Sequence, residues 1–257
     1  MGFLYNGITS QSMRIRARLT DWQASPSLRN AYVTVPGRPG IVDFGTTTAE
    51  KIITVRCNIF PQRDFTALVT VLDAMVEWLN PEYGLKQLVM DDVPDRYFEA
   101  RLTEAVDCER ILSSAGGFDL RFICPDPHGY ALIDEVYTLS EAGSHTIRRE
   151  KGNTASEPVY LLKGIIPAGA GTYVSIDTNE LELRIVGPLA EGETLMIDSG
   201  LMTAKVVDAQ GETLRNGLPC LQSLNFPTLH KGANTLVITT AGATFSELTI
   251  HAESRWR

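Results

Sequence analysis

The stretch FDLRFICPDPHGY, Phe118–Tyr130, decides how this chain is divided. Its first half repeats apolar residues with a period of two, which predicts a strand with one buried face, and the apolar set is Phe118, Leu120, Phe122 and Cys124. Pro125 and Pro127 then hold the residues before them in extended geometry and donate no ladder hydrogen bonds. The stretch therefore predicts the end of a sheet and a change of chain direction.

The same stretch brings a thiol, a carboxylate and an imidazole close together in sequence. A metal site needs ligands that converge on one point, whereas Cys124 and His128 would lie about 12 Å apart in a stiff extended segment. The chain contains no C-x-x-C pair, no H-E-x-x-H helix and no G-x-S-x-G elbow. We therefore predict no catalytic residue, no cofactor and no metal, and the protein is not expected to be an enzyme.

The net charge and the hydropathy of the chain indicate whether nucleic acid or a membrane is an expected partner. The formal net charge of -8 would repel a phosphate backbone, so specific nucleic-acid binding is not expected, although an acidic wall suits a channel past which DNA slides. No apolar run approaches the roughly 18 residues of a membrane span, so no membrane insertion is expected. Four irregularly spaced cysteines predict free, buried or half-buried thiols, in keeping with synthesis and assembly in a reducing cytosol.

The first part of the chain predicts strands around one amphipathic helix. In RDFTALVTVLDAMVEWLNPEYG, apolar residues recur at steps of three and four and form one stripe: Phe65, Leu68, Val69, Leu72, Met75, Val76 and Leu79. Asp64 is placed to cap the first turn, and Asn80-Pro81 followed by Gly84 ends the helix. The stripe is expected to pack on a sheet, and a partner-binding groove is the alternative.

From about residue 131 onward only strand signals appear, separated by Gly, Pro, Asn and Asp turns at the spacing of a β-sandwich. The predicted fold class is therefore mainly β: an N-terminal strand-rich α+β domain over residues 1–129 and a C-terminal sandwich over residues 130–257. PAGAGTY, Pro167–Tyr173, lacks the helix of a phosphate loop and is interpreted as a hairpin turn. FPTLHKGANTLVI is interpreted as a second hairpin, with His230 and Lys231 at its exposed tip.

Several segments together resemble the distal tail proteins of long, non-contractile-tailed bacteriophages, the siphophage tail component family. The resemblance runs nearly end to end and rests on GFLYNGITS, VPGRPGIVDFG, RFICPDPHGY, GNTASEPVYLLKG, GETLMIDS, FPTLHKGANTLVI and the final RWR. It implies a structural baseplate-hub protein of the virion tail tip, with a galectin-like second domain. Its implied partners are five further copies of itself in a hexameric ring that passes DNA, the major tail tube protein, the tape measure protein, the tail-associated hub protein and a receptor-binding protein.

The segment VPGRPGIVDFG, Val35–Gly45, is rich in Gly and Pro between two strand-like runs. It is our candidate for a strap between subunits, with Arg38, Asp43 and Phe44 as the contact residues, and an ordinary hairpin loop is the alternative.

Two other classes of function stay open from the sequence. A carbohydrate-binding adhesin would recognise host cell-wall sugars through aromatic side chains of the sandwich, which the second half supplies as Tyr130, Tyr137, Tyr160, Tyr173, Phe226, Phe245 and Trp256. Most of these aromatics are expected in the core. A glycoside hydrolase would need a carboxylate pair, and pairs such as Asp91 and Asp92 occur by chance in a chain with 31 acidic residues.

Overall fold

The computed structural model describes residues 2–112 and 115–257, and the chain divides into two compact units. One unit spans Met1–Leu132 and includes Arg257, and the other spans Ile133–Trp256. Strands dominate both, and the described residues contain a single α-helix. The predicted fold class, mainly β with one amphipathic helix in the first part of the chain, is confirmed.

The first unit is built on an antiparallel sheet with the strand order β2-β1-β7-β8-β10-β6-β3, to which β9 and β11 add at β10 and β8. Its elements are β1 Phe3–Tyr5, β2 Ile8–Thr9, β3 Ile15–Trp22, β4 Leu28–Val33, β5 Val42–Thr48, β6 Lys51–Ile59, α1 Phe65–Trp78, the 3-10 turn Pro81–Tyr83, β7 Lys86–Met90, β8 Val93–Leu102, β9 Glu109–Leu112, β10 Ala115–Cys124 and β11 Gly129–Ala131.

The strand predicted from the opening stretch is β10, and it ends at Cys124 as expected. All four of its predicted core residues, Phe118, Leu120, Phe122 and Cys124, are buried. The strand pairs with β6 over eight positions, from Gly117 opposite Asn58 to Cys124 opposite Lys51. After the Pro-rich turn, Tyr130 pairs with Tyr97 of β8, so residues 129–131 form one more strand of the first unit.

Helix α1 begins where its sequence predicts, because Asp64 Oδ1 accepts a hydrogen bond from Ala67 N at 2.9 Å. Only part of the predicted apolar stripe, however, is buried in the core. Leu68, Met75 and Leu79 are buried, whereas Phe65, Val69 and Val76 are 48%, 36% and 60% exposed. Trp78, which lies outside the stripe, is buried.

The geometry of a helix explains this correction. At about 100° per residue, the buried side chains of α1 centre about 100° away from the exposed set Phe65, Val69 and Val76. The apolar arc is wider than the surface that the sheet covers. The helix strip, as we call Phe65, Val69 and Val76, therefore faces away from the core.

The second unit consists of two antiparallel sheets with the strand orders β12-β21-β14-β17-β18-β19 and β13-β20-β15-β16. Its elements are β12 Val136–Leu139, β13 Gly143–Arg149, β14 Val159–Ile165, β15 Tyr173–Thr178, β16 Leu181–Ile185, β17 Thr194–Asp198, β18 Thr203–Val207, β19 Thr213–Asn216, the 3-10 turn Leu218–Cys220, β20 Gly232–Ala241, β21 Thr244–His251 and β22 Arg255–Trp256. Buried residues of both sheets, such as Leu162 and Ile176, share one core, which is the arrangement of a β-sandwich.

Both hairpins predicted for the second half are wrong. Pro167–Tyr173 leads from β14 in one sheet to β15 in the other, so it crosses between sheets instead of joining paired strands. The segment before β20 is not a strand, and its chain reversal is held by the buried side chain of Asn234. His230 and Lys231 are exposed, as expected, and Gly232 takes the positive φ of +91° that the turn requires.

Candidate functional site

The strands β4 and β5 form a two-stranded sheet of their own. We call residues 28–48, which comprise both strands and the loop between them, the arm. Leu28 lies opposite Thr48 at its base and Val33 lies opposite Val42 near its tip. Every residue of β4 is exposed. Since an isolated two-stranded hairpin is at best marginally stable in water, the arm is the part of the first unit that most needs a partner.

The exposed surface of the arm is apolar. Tyr32, Val33, Ile41 and Phe44 are 58%, 52%, 55% and 69% exposed, and Leu28 and Val35 are exposed as well. Single exposed hydrophobic residues are normal, but a contiguous group of them marks an interaction surface. The arm therefore has the character of an assembly surface.

All three predicted contact residues lie on the arm, and the structure gives each a distinct position. Arg38 is in the loop, where its backbone N–H donates to Val35 O at 3.1 Å, and its guanidinium has no carboxylate partner within residues 2–112 and 115–257. Asp43 Oδ1 accepts from Gly45 N at 2.8 Å and so holds the bulge at which Gly45 takes a φ of +100°. Phe44 is 69% exposed and is the most exposed large hydrophobic residue of the arm.

Polar contacts join the two strands at the base of the arm and link the arm to the residues beside it. Arg29 forms an ion pair with Glu50 at 2.5 Å, Thr46 Oγ1 donates to Asn30 Oδ1 at 2.7 Å, and Ala49 N donates to Ser27 O at 2.7 Å. These contacts orient the arm without burying its apolar side chains. The arm is thus held in an extended form with its hydrophobic surface open.

A second apolar surface, which the sequence did not locate, lies beside α1. A groove of about 370 Å³ is bordered by Val76, Leu79 and Pro81 on the helix side and by residues 101–106 on the other. Together with the helix strip it exposes apolar side chains along one side of the helix. Periodicity revealed that the helix has an apolar stripe but could not show which part of it the sheet leaves uncovered.

The thiol, carboxylate and imidazole of the opening stretch form no reactive centre. Asp126 Oδ1 lies 2.6 Å from His128 Nδ1, and Tyr130 donates its hydroxyl to Asp126 Oδ2 at 2.5 Å. Burial raises the pKa of the Cys124 thiol to about 12, so the thiol stays protonated and is a poor nucleophile. Over residues 2–112 and 115–257 no group of three or more His, Cys, Asp or Glu side chains could hold a metal ion. The cluster instead closes the turn after β10.

This cluster makes a testable contribution to acid stability. Burial raises the pKa of Asp126, but the hydrogen bonds from His128 and Tyr130 outweigh it and lower the pKa to about 2, below its ordinary 3.8. The stabilisation is therefore complete above pH 3.8 and is lost as the pH falls through about 2. Because the side chain is 43% exposed, we expect Asp126→Asn to lower the free energy of unfolding by only about 1 kcal/mol at pH 7.

Denaturant titrations of both proteins between pH 7 and pH 2 measure this difference, which should shrink below about pH 4. Asp73→Asn, at an exposed position of α1, is the matched control and should change the free energy of unfolding by less than about 0.5 kcal/mol. A difference between wild type and Asp126→Asn that stays constant down to pH 2 would show that the carboxylate is not stabilised by its charge.

The aromatic side chains that could stack on a sugar are mostly engaged within the second unit. Tyr160 is fully buried and its hydroxyl lies 3.1 Å from Thr178 Oγ1. The ring of Tyr173 has the Arg184 guanidinium 4.4 Å from its centroid. Sugar binding by the sandwich stays a prediction.

No helix in the described part of the chain has the length and apolar character to cross a membrane.

Comparison with known proteins finds a family model and solved structures that this chain matches. Residues 6–124 match the sequence model of the Sipho_tail family, the phage tail protein RIFT-related domain. The whole chain is similar to the crystal structure of the Dit (gp 19.1) protein of phage SPP1, with a TM-score of 0.75, 14% identity and coverage of 100% of this chain and 99% of that chain. A chain of the activated phage p2 baseplate with strontium matches with a TM-score of 0.52 and 10% identity, covering 98% of this chain and 99% of that chain. A search of curated proteins gave no match.

At these identities the two structures show a shared fold, and the family model adds a match over residues 6–124. The chain thus has a segment that matches the RIFT-related domain model, followed by a β-sandwich, and its overall fold is shared with these tail-tip structures. The resemblance to the siphophage distal tail proteins is confirmed by the match over residues 6–124 and by the fold over the whole chain.

Proposed function

We propose that this chain is a structural, non-enzymatic hub protein of the phage tail tip, and that six copies form a ring through their arms. The observation that carries the proposal is the arm itself, an exposed apolar two-stranded sheet with Phe44 69% exposed. The likeness to the SPP1 Dit protein, described as a paradigm of the hub adsorption apparatus in Gram-positive infecting phages, supports the hub role. The copy number of six comes from the family resemblance.

The remaining features agree with such a ring. The net charge of -8 suits a central opening through which DNA passes without being held. In this proposal the ring joins the tail tube and tape measure proteins on one side to the tail-associated hub and receptor-binding proteins on the other. Arg38, Asp43 and Phe44 contact the neighbouring subunit, and the sandwich, of the galectin-like type, projects from the ring.

Removing the aromatic ring of Phe44 is expected to weaken the assembly. Buried aromatic anchors of protein interfaces contribute about 2 kcal/mol or more, so Phe44→Ala should weaken each contact about 30-fold while the monomer keeps its fold. Light scattering over a range of concentrations measures the mass, which for six copies of the 28.2 kDa chain is about 169 kDa. Circular dichroism checks the fold.

Leu201→Ala is the matched control, because Leu201 is 74% exposed and lies in the second unit. It should leave the mass unchanged. A ring of unchanged mass and concentration dependence in Phe44→Ala would remove the arm from the interface, and a wild-type protein that stays at the mass of one chain at every concentration would contradict self-assembly.

A further inference from the structure

The groove beside α1 is open to solvent and has apolar walls. Val76, which is 60% exposed, belongs both to the helix strip and to the wall of the groove, and Leu79 and Pro81 extend the same wall. At about 370 Å³ the groove has room for an aromatic ring, since a cavity of about 150 Å³ already holds benzene. Two charged residues, Arg101 and Glu104, border it. The groove can therefore receive an apolar side chain flanked by charges.

The arm and the groove are different surfaces of the same unit, and a ring needs such a pair. In a ring each subunit contacts the next head to tail, so one surface of a subunit meets a different surface of its neighbour. Six of the exposed large hydrophobic residues of the first unit lie on the arm, and three form the helix strip. Because Phe44 and Val76 are both exposed within one chain, that chain leaves both surfaces available to a second copy.

Each of the two surfaces carries charges of both signs. The groove carries one cation and one anion, and so does the arm near Phe44, with Arg38 and Asp43. Among the described residues Arg101 has no carboxylate partner, while Glu104 accepts from Arg121 at 2.5 Å through one oxygen, Oε1. Asp43 uses one oxygen, Oδ1, for Gly45 N. Each surface thus offers a charge of each sign to the other.

We infer that the arm of one subunit docks in the groove of a second copy of this chain, with Phe44 against Val76 and the carboxylate of Asp43 facing Arg101. This inference rests on the proposed ring and names the receiving surface within it. In this contact α1 supplies the surface that receives the arm. The contact also explains why part of the apolar stripe of α1 is left outside the core.

Cross-linking between copies tests the contact directly. One protein carries Ile41→Cys, at a 55% exposed position of the arm that leaves Phe44 in place, and another carries Val76→Cys. The two are mixed and treated with a short bis-maleimide. Cys57, Cys124 and Cys220 are buried, and each variant with one added cysteine, treated alone, gives the background from the half-exposed Cys108. We expect a covalent dimer in the mixture well above both backgrounds, and no such increase when Leu201→Cys replaces Val76→Cys.

A second measurement does not depend on the cysteine variants. Val76→Glu should weaken self-association about tenfold or more, and the double variant with Phe44→Ala should be no weaker than the weaker single variant, because both changes break one contact. Val136→Glu, at a 50% exposed valine of the second unit, should have no effect.

The outcomes separate this inference from the proposed function. If the wild type assembles but Val76→Glu assembles equally well and no cross-link forms between positions 41 and 76, the groove is not the receiving surface, although the ring stands. Fully additive effects of Phe44→Ala and Val76→Glu would likewise overturn the contact. If the wild type never exceeds the mass of one chain, the ring fails and this contact fails with it.

Discussion

Trp78→Ala is expected to lower the free energy of unfolding of the first unit by about 3–5 kcal/mol, the usual loss for a buried aromatic residue. The indole stacks on Phe3 with 5.5 Å between ring centroids and meets Tyr5 edge-on at 6.1 Å. Its Nε1–H donates to Tyr5 O at 3.0 Å. One side chain thus joins the end of α1 to β1, and its removal leaves a cavity and takes a hydrogen bond from the Tyr5 carbonyl. Urea denaturation followed by circular dichroism measures the loss.

Trp78→Phe separates packing from hydrogen bonding. It keeps an aromatic ring beside Phe3 but lacks the N–H, so we expect a loss of about 1–2 kcal/mol. Val76→Ala, on the exposed strip of the same helix, should change the free energy of unfolding by less than about 0.5 kcal/mol. Equal losses for Trp78→Ala and Val76→Ala would contradict the assignment of which helix side faces the core.

Asn234→Ala is expected to lower the free energy of unfolding of the second unit by about 3 kcal/mol, because a fully buried amide would lose four hydrogen bonds. Its Oδ1 accepts from His230 N at 2.8 Å and from Asn179 Nδ2 at 2.9 Å. Its Nδ2 donates to His230 O at 2.8 Å and to Gly232 O at 3.0 Å. The side chain therefore holds the loop before β20 to the turn after β15, and a thermal or denaturant scan should show the loss.

Two further variants define the cause of that loss. Asn234→Asp should destabilise at least as much at neutral pH, because a carboxylate oxygen would replace Nδ2 opposite the carbonyl oxygens of His230 and Gly232. Asn225→Ala removes a single hydrogen bond, from Nδ2 to Glu182 O at 2.9 Å, and should cost about 1 kcal/mol. If Asn234→Asp were as stable as the wild type, the donor half of this network would not matter.

The features that the sequence predicted correctly are those that depend on a few neighbouring residues. The alternation in β10 shows its buried face, and the cap by Asp64 shows where α1 begins, because each is decided within two to four residues of chain. The Gly and Pro content of Val35–Gly45 indicated a connection between two strand-like runs, and this segment contains the loop between β4 and β5. The contact roles of Arg38, Asp43 and Phe44 stay predictions, as does the division of the chain at residues 129 and 130.

The features that the sequence did not predict depend on residues far apart in the chain. The turn Pro167–Tyr173 has the composition of a hairpin, but the partners of β14 and β15 lie elsewhere in the sequence, so only the assembled sandwich shows that the segment crosses between sheets. From the sequence, Asn234 is an ordinary turn residue. Only the structure shows that Asn179, 55 positions away, donates a hydrogen bond to it.

By itself, then, the sequence determined a mainly β chain with one capped helix, a sheet that ends at Cys124, and a resemblance to siphophage distal tail proteins. Only the tertiary structure decided that β4 and β5 pair with each other alone and that the strip containing Val76 lies outside the core. The reason is physical: hydrophobic patterning states which side chains favour burial, whereas the area available to bury them depends on which distant strands pack together. The apolar surfaces left uncovered by that packing are the arm and the groove, on which the proposed assembly rests.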